Sequence, residues 1–110
     1  MTPPFTVVYG GDMGPSYRWD EATYDRLARA GIPWQAAQAV LDTHPQIRQH
    51  IGSVLRIAAP VPDWVTGQDT WIVVALIEEA AAEYLVVGAR ALAAQEAKDL
   101  RRLIGSEGTP

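Results

Sequence analysis

Cysteine is absent from this chain, and lysine and phenylalanine occur once each. Without cysteine there is no disulfide framework and no thiolate metal site, so stability has to come from packing. Two histidines, His44 and His50, lack the spacing of a structural zinc site, and no cofactor motif is present. No apolar run approaches the ~20 residues needed to span a membrane. The opening Met1-Thr2-Pro3-Pro4-Phe5 lacks the basic and long apolar segments of a secretory signal. The expectation is a cytoplasmic protein with no membrane contact. A net charge of −4 gives no general attraction to polyanions, so any anion chemistry must be local. Eight of the nine basic residues are arginine, the side chain suited to bidentate contact with carboxylate or phosphate.

At 110 residues the length suits one domain, divided here into 1–16 (an N-terminal strand and glycine-rich turn), 17–105 (the main domain) and 106–110 (a flexible tail). The organising stretch is Trp71 to Leu92. Two β-branched runs, Trp71–Ile77 and Tyr84–Arg90, flank a charged, alanine-rich reversal at Glu78–Glu83, which predicts an antiparallel hairpin with its first strand buried on both faces. The competing reading is a continuous helix through Leu76 to Val86, where glutamate and alanine have high helix propensity. The β-branched Ile72, Val73, Val74 and Ile77 favour the hairpin. In the second strand, Leu85, Val87 and Ala89 alternate with Tyr84, Val86, Gly88 and Arg90, which would aim Arg90 away from the first set.

Upstream, Phe5–Tyr9 reads as a strand and Gly10–Ser16 as a flexible turn rather than a phosphate loop, since no Gly-Lys-Ser/Thr ending follows. Asp20 is placed to cap a helix running to about Ala30, with Ala22, Leu27 and Ala30 inward and Gly31-Ile32 closing it. A second helix starts near Pro33 and carries Trp34, Ala37, Val40 and Leu41 on one face. His44-Pro45 ends it. The connection Pro60–Asp69 holds Trp64, expected as a lateral cap on the core. The last helix spans about Ala93–Ile104 and stops at Gly105.

Gln46–Ala59 reads as a second hairpin with two candidate registers. A two-residue turn pairs His50 with Leu55 and Arg48 with Ile57, mixing charged and apolar side chains on both faces. A three-residue loop, Ile51-Gly52-Ser53, pairs Arg48 with Arg56 and His50 with Val54, and gathers Arg48, His50 and Arg56 on one face. For a one-sided sheet the three-residue loop is the expected solution, with part of the arginine repulsion offset by a bound anion.

The order Tyr17-Arg18-Trp19-Asp20, a short helix ending in Gly31-Ile32, a second short helix, and strands closing with Val86-Val87-Gly88-Ala89-Arg90 before a helix containing Glu96 resembles the BrnT family of bacterial toxins, within the wider RelE/ParE superfamily. Ala30 stands where that family often has histidine, and Gly88 where it usually has serine. The resemblance implies an α+β domain: a twisted antiparallel sheet packed by two N-terminal helices and one C-terminal helix. It also implies a metal-independent ribonuclease that stops translation, is held inactive by a cognate antitoxin, and assembles as a homodimer or a toxin–antitoxin hetero-oligomer.

Cleaving RNA in this way requires a group to activate the ribose 2′-hydroxyl, a proton donor for the leaving oxygen, and cations facing the phosphate. Arg56 and Arg90 are the expected phosphate-stabilising groups. His50 is the expected proton-transfer group because its ordinary pKa lies near neutrality, and Arg48 and Arg101 are further RNA or anion contacts. The alternative is a non-enzymatic interaction module on the same scaffold, whose arginine face docks an acidic partner segment.

Overall fold

The computed structural model describes residues 5–8, 16–43, 46–62 and 69–108. Its elements are β1 (Phe5–Val8), β2 (Ser16–Arg18), α1 (Glu21–Arg29), α2 (Trp34–Asp42), β3 (Gln46–Ile51), β4 (Val54–Pro62), β5 (Asp69–Ala80), β6 (Glu83–Ala91) and α3 (Ala94–Gly108). The class is α+β, as expected. One six-stranded sheet has the order β1-β3-β4-β5-β6-β2; every neighbouring pair is antiparallel except β2 with β6, which is parallel. The expectations for the glycine-rich turn at 10–15, for His44 and for Trp64 lie outside the described residues. The final helix continues past Gly105 to Gly108, so the predicted stop and the start of the tail are too early.

Local chemistry accounts for the helical pair. Asp20 caps α1 through a capping box with Thr23: the Thr23 amide donates to Asp20 Oδ1 at 2.8 Å, and Thr23 Oγ1 accepts from the Asp20 amide. Gly31, at φ +73°, lets the chain reverse, and the Ile32 amide bonds back to the Leu27 carbonyl at 2.9 Å while Ile32 is buried. The inward residues of α1 are Thr23 and Leu27; Ala22 and Ala30, expected inside, are exposed. A threonine i→i+4 from leucine takes the inner stripe because its hydroxyl has a partner on the sheet. In α2, Ala37, Val40 and Leu41 are buried as predicted, and Trp34 remains 43% exposed.

Both hairpins form, but the register of the first differs from expectation. β3 pairs His50 with Leu55, Gln49 with Arg56 and Arg48 with Ile57, around a two-residue Gly52-Ser53 turn. Gly52 has φ +60°, as the first position of a type II′ turn requires. The one-sided-sheet premise fails, because helices cover both faces. Leu55, Ile57, Ala59, Ile72, Val74, Leu76 and Val86 form a cluster beneath α1 and α2, while Ile47, Ala58, Trp71 and Val73 form a second cluster on the opposite face against Leu92, Ala97 and Leu100. With apolar cover on both sides, β4 and β5 are buried continuously over Ile57–Ala59 and Trp71–Val74. On β3 the charged positions escape this cover: Arg48 is only partly buried and hydrogen-bonded to Gln46, and His50 is exposed, so polar residues are tolerated on both faces.

The second hairpin is longer than expected. β5 and β6 run to Ala80 and from Glu83, leaving only Ala81-Ala82 as the turn, and the pairing shifts register between Ala75 and Leu76 and again between Glu78 and Ala80. Because Ala75 pairs with Gly88 and Leu76 with Val86, Val87 is an extra residue on β6. No helix passes through Leu76 to Val86.

Candidate functional site

The Val87 bulge decides where Arg90 points. Strict alternation would place Val86 and Arg90 on the same face; one inserted residue separates them. Tyr84, Val86 and Ala89 pack into the cluster under α1 and α2, whereas Arg90 emerges on the face covered by α3. The predicted grouping of Tyr84, Val86 and Arg90 is thus corrected by the bulge. Helix α1 holds this irregular backbone: Thr23 Oγ1 donates to the Val86 carbonyl, and Arg26 Nη1 donates to the Val87 carbonyl at 3.3 Å. The Val86 and Val87 carbonyls thereby each have a side-chain donor from α1.

On the α3 face, Arg56 and Arg90 line the same groove, of about 250 Å³, together with Gln49, Glu96, Asp99 and apolar floor residues from Ile47 to Leu100. Arg90 is held by Glu96 in a bidentate pair, Nη1–Oε1 3.0 Å and Nη2–Oε2 2.9 Å, with both side chains about half exposed. Glu96 Oε1 also accepts the Ala93 amide at 3.2 Å, at the start of α3. These contacts, with a further pull from Arg56, bring the Glu96 carboxyl down to about 2, the Arg90 hydrogen bond being the largest cause; Arg90 is raised in turn. Among the described residues, no carboxylate lies within ion-pairing distance of Arg56. Two guanidinium and two carboxylate groups nearly cancel in charge, so a ligand anion gains most beside Arg56 or by replacing Glu96 on Arg90.

Arg56 and Arg90, the two expected phosphate-stabilising groups, lie on the same groove. The fold separates the others. Arg48 and His50 pair with Ile57 and Leu55, which puts both on the face of α1 and α2, away from the groove. Arg48 Nε donates to Gln46 Oε1 at 2.7 Å, and its charge opposes the burial-driven rise of the Tyr17 pKa. Arg101 is exposed on α3 and does not line the groove. The physical cause of the misplacement is the two-residue turn, which moves every β3 side chain to the opposite face relative to the three-residue loop. Glu96, Asp99 and Gln49 are groove residues that the reading missed. For Glu96 a signal existed: an acidic residue three positions into a helix that follows a strand arginine directly, suited both to cap the helix and to reach back to Arg90.

Among the described residues no group of three or more histidine, aspartate or glutamate side chains converges to hold a metal, and no helix is long and apolar enough to cross a membrane. No family model, curated protein or solved structure matches the chain.

Proposed function

We propose that this protein is the toxin component of a type II toxin–antitoxin pair, a ribonuclease that inhibits translation, with the α3-side groove as its RNA site. The observation that carries this reading is the convergence of Arg56 from β4 and Arg90 from β6 on one groove of one sheet face. The resemblance carried by Tyr17–Asp20, Gly31-Ile32 and Val86–Arg90 supports it. Arg56 stabilises the charge that develops on the phosphate. When a phosphate oxygen takes over Arg90, Glu96 loses the contact that depresses its pKa most, and its basicity rises toward the ordinary carboxylate range. Glu96 then accepts the 2′-hydroxyl proton as the 2′ oxygen attacks phosphorus, and the leaving 5′ oxygen takes a proton from water in the open groove.

Added to a cell-free translation mixture, the purified protein is expected to slow synthesis. Arg56→Ala and Arg90→Ala are expected to relieve the inhibition, and His50→Ala is not. Unchanged translation at high dose overturns the proposal.

One observation favours a second reading. Among the described residues no histidine lines the groove, and Glu96 is held near 2 in the free protein, so the arginines lack a proton-transfer group poised at neutrality. In this reading the groove docks an acidic segment of a partner protein without chemistry. Arg56-dependent binding of an acidic peptide, with RNA left intact, distinguishes it.

A further inference from the structure

The two arginines border not one depression but two. Beside the groove under α3 lies a shallow recess of about 260 Å³, walled by Arg56, Arg90, Val73 and Val87 and floored by Ala75 and Gly88. Register fixes its plan. Arg56, Ala75 and Gly88 are direct partners across β4, β5 and β6, and Ala58, Val73 and Arg90 form the next row on that face. Strand and residue spacings make this a plot of roughly 10 by 7 Å with arginines at opposite corners and small residues between them. Glycine inside a strand lowers stability by about 0.5–1 kcal/mol relative to alanine and needs a reason. Gly88 adjoins the Val87 bulge, where glycine is common, but its φ does not demand glycine and a Cβ there would meet nothing within 4 Å. The missing side chain also leaves this surface flat, open to something that lies on it.

We infer that this recess seats a nucleobase, so that the site binds a nucleoside phosphate rather than a bare phosphate; the inference deepens the RNA reading above and rests on it. The heterocycle lies over Ala75 and Gly88. The Arg90 guanidinium, whose edge is held by Glu96 in the free protein and turns to the phosphate in the complex, offers its face for stacking, and Arg56 shares the phosphate. An acidic peptide would use the arginines but gain little from a flat apolar floor.

The test compares the full-length protein's affinity for adenosine and uridine monophosphates with that for ribose 5-phosphate, which carries the same phosphate and no base. The nucleotides are expected to bind about tenfold more tightly, in line with one stacked base. Gly88→Val fills the recess with a residue suited to a strand and is expected to bring that ratio close to one; Gly88→Ala is expected to lower it part-way, with thermal midpoints confirming that both variants fold. Arg56→Ala is expected to weaken nucleotide and sugar phosphate alike. Equal affinity for nucleotide and ribose phosphate, binding of neither at millimolar concentration, or a full nucleotide preference in Gly88→Val overturns the inference. A nucleotide preference without any RNA cleavage retains the base seat and removes the ribonuclease reading.

Discussion

The hydroxyl of Thr23 on α1 donates to the carbonyl of Val86, one residue before the bulge that turns Arg90 toward the α3 groove. A fully buried side chain on one face of the sheet thus secures the backbone that sets the site on the other.

Thr23→Val keeps the shape of the side chain and removes the hydroxyl, so the Val86 carbonyl loses its side-chain donor and the capping box loses one arm. The loss is expected to be about 1–3 kcal/mol, the usual penalty for a buried group left unpaired. Urea unfolding should show a lower midpoint at unchanged slope, with Thr23→Ser close to the parent. A Thr23→Val midpoint equal to the parent's would remove the assigned role.

Gln46 is the corresponding polar anchor of α2. Fully buried at the start of β3, it donates through Nε2 to the carbonyls of Val40, Leu41 and Thr43 at 3.3, 3.2 and 3.1 Å, closing the end of that helix. Gln46→Leu, similar in size, is expected to lower stability by about 1–3 kcal/mol because these acceptors lose a shared donor. Since Gln46 lies on the helix-pair face, the proposed nucleotide binding should be the same in the folded variant as in the parent. A selective loss of binding at unchanged stability contradicts that placement.

The two anchors also show what sequence patterns convey. Helix boundaries at Asp20 and Gly31, the burial of Ala37, Val40 and Leu41, and the doubly buried Trp71–Val74 strand follow from capping chemistry and apolar spacing, both local properties. The β3–β4 register was not legible in the same way, because it depends on whether α3 returns to cover the second face, a contact made about fifty residues later. Nor was the Val87 bulge, which is stabilised by Thr23 and Arg26 from across the chain. Arg56 and Arg90 reached one face in spite of these two errors. His50 did not, since its side depends directly on the turn.

The Arg90–Glu96 pair makes stability depend on pH. Glu96 titrates near 4.5 when unpaired and at about 2 in the folded chain, so folding favours its ionised form. That contribution is complete above pH 4.5 and disappears as pH falls toward 2. Asp20, held by Thr23, and Glu79, held by Arg18, are lowered in the same sense. Glu96→Gln should therefore be less stable than the parent at pH 6 and converge with it at the acid end. The gap should shrink in high salt, because the pair is half exposed. Parallel stability curves for the two proteins from pH 6 to 2 would count against this pair as a source of the acid sensitivity.

The β5–β6 turn offers the opposite case, a change expected to stabilise. Ala82 adopts φ 60°, a left-handed conformation that costs an L-residue roughly 1–2 kcal/mol. It is held there by use: the Ala82 carbonyl accepts the Ser16 amide at 2.9 Å, which starts the parallel pairing of β2 with β6. Glycine at this position keeps the carbonyl in place without the steric penalty, though greater freedom in the unfolded chain offsets part of the gain. Ala82→Gly should raise stability by about 0.5–1 kcal/mol, seen as a thermal midpoint a few degrees higher. Gly52→Ala, at φ +60° in the other hairpin turn, should shift the midpoint the opposite way although its Cβ meets nothing within 4 Å. Opposite signs for the two exchanges would identify backbone conformation, rather than side-chain packing, as what these turns select.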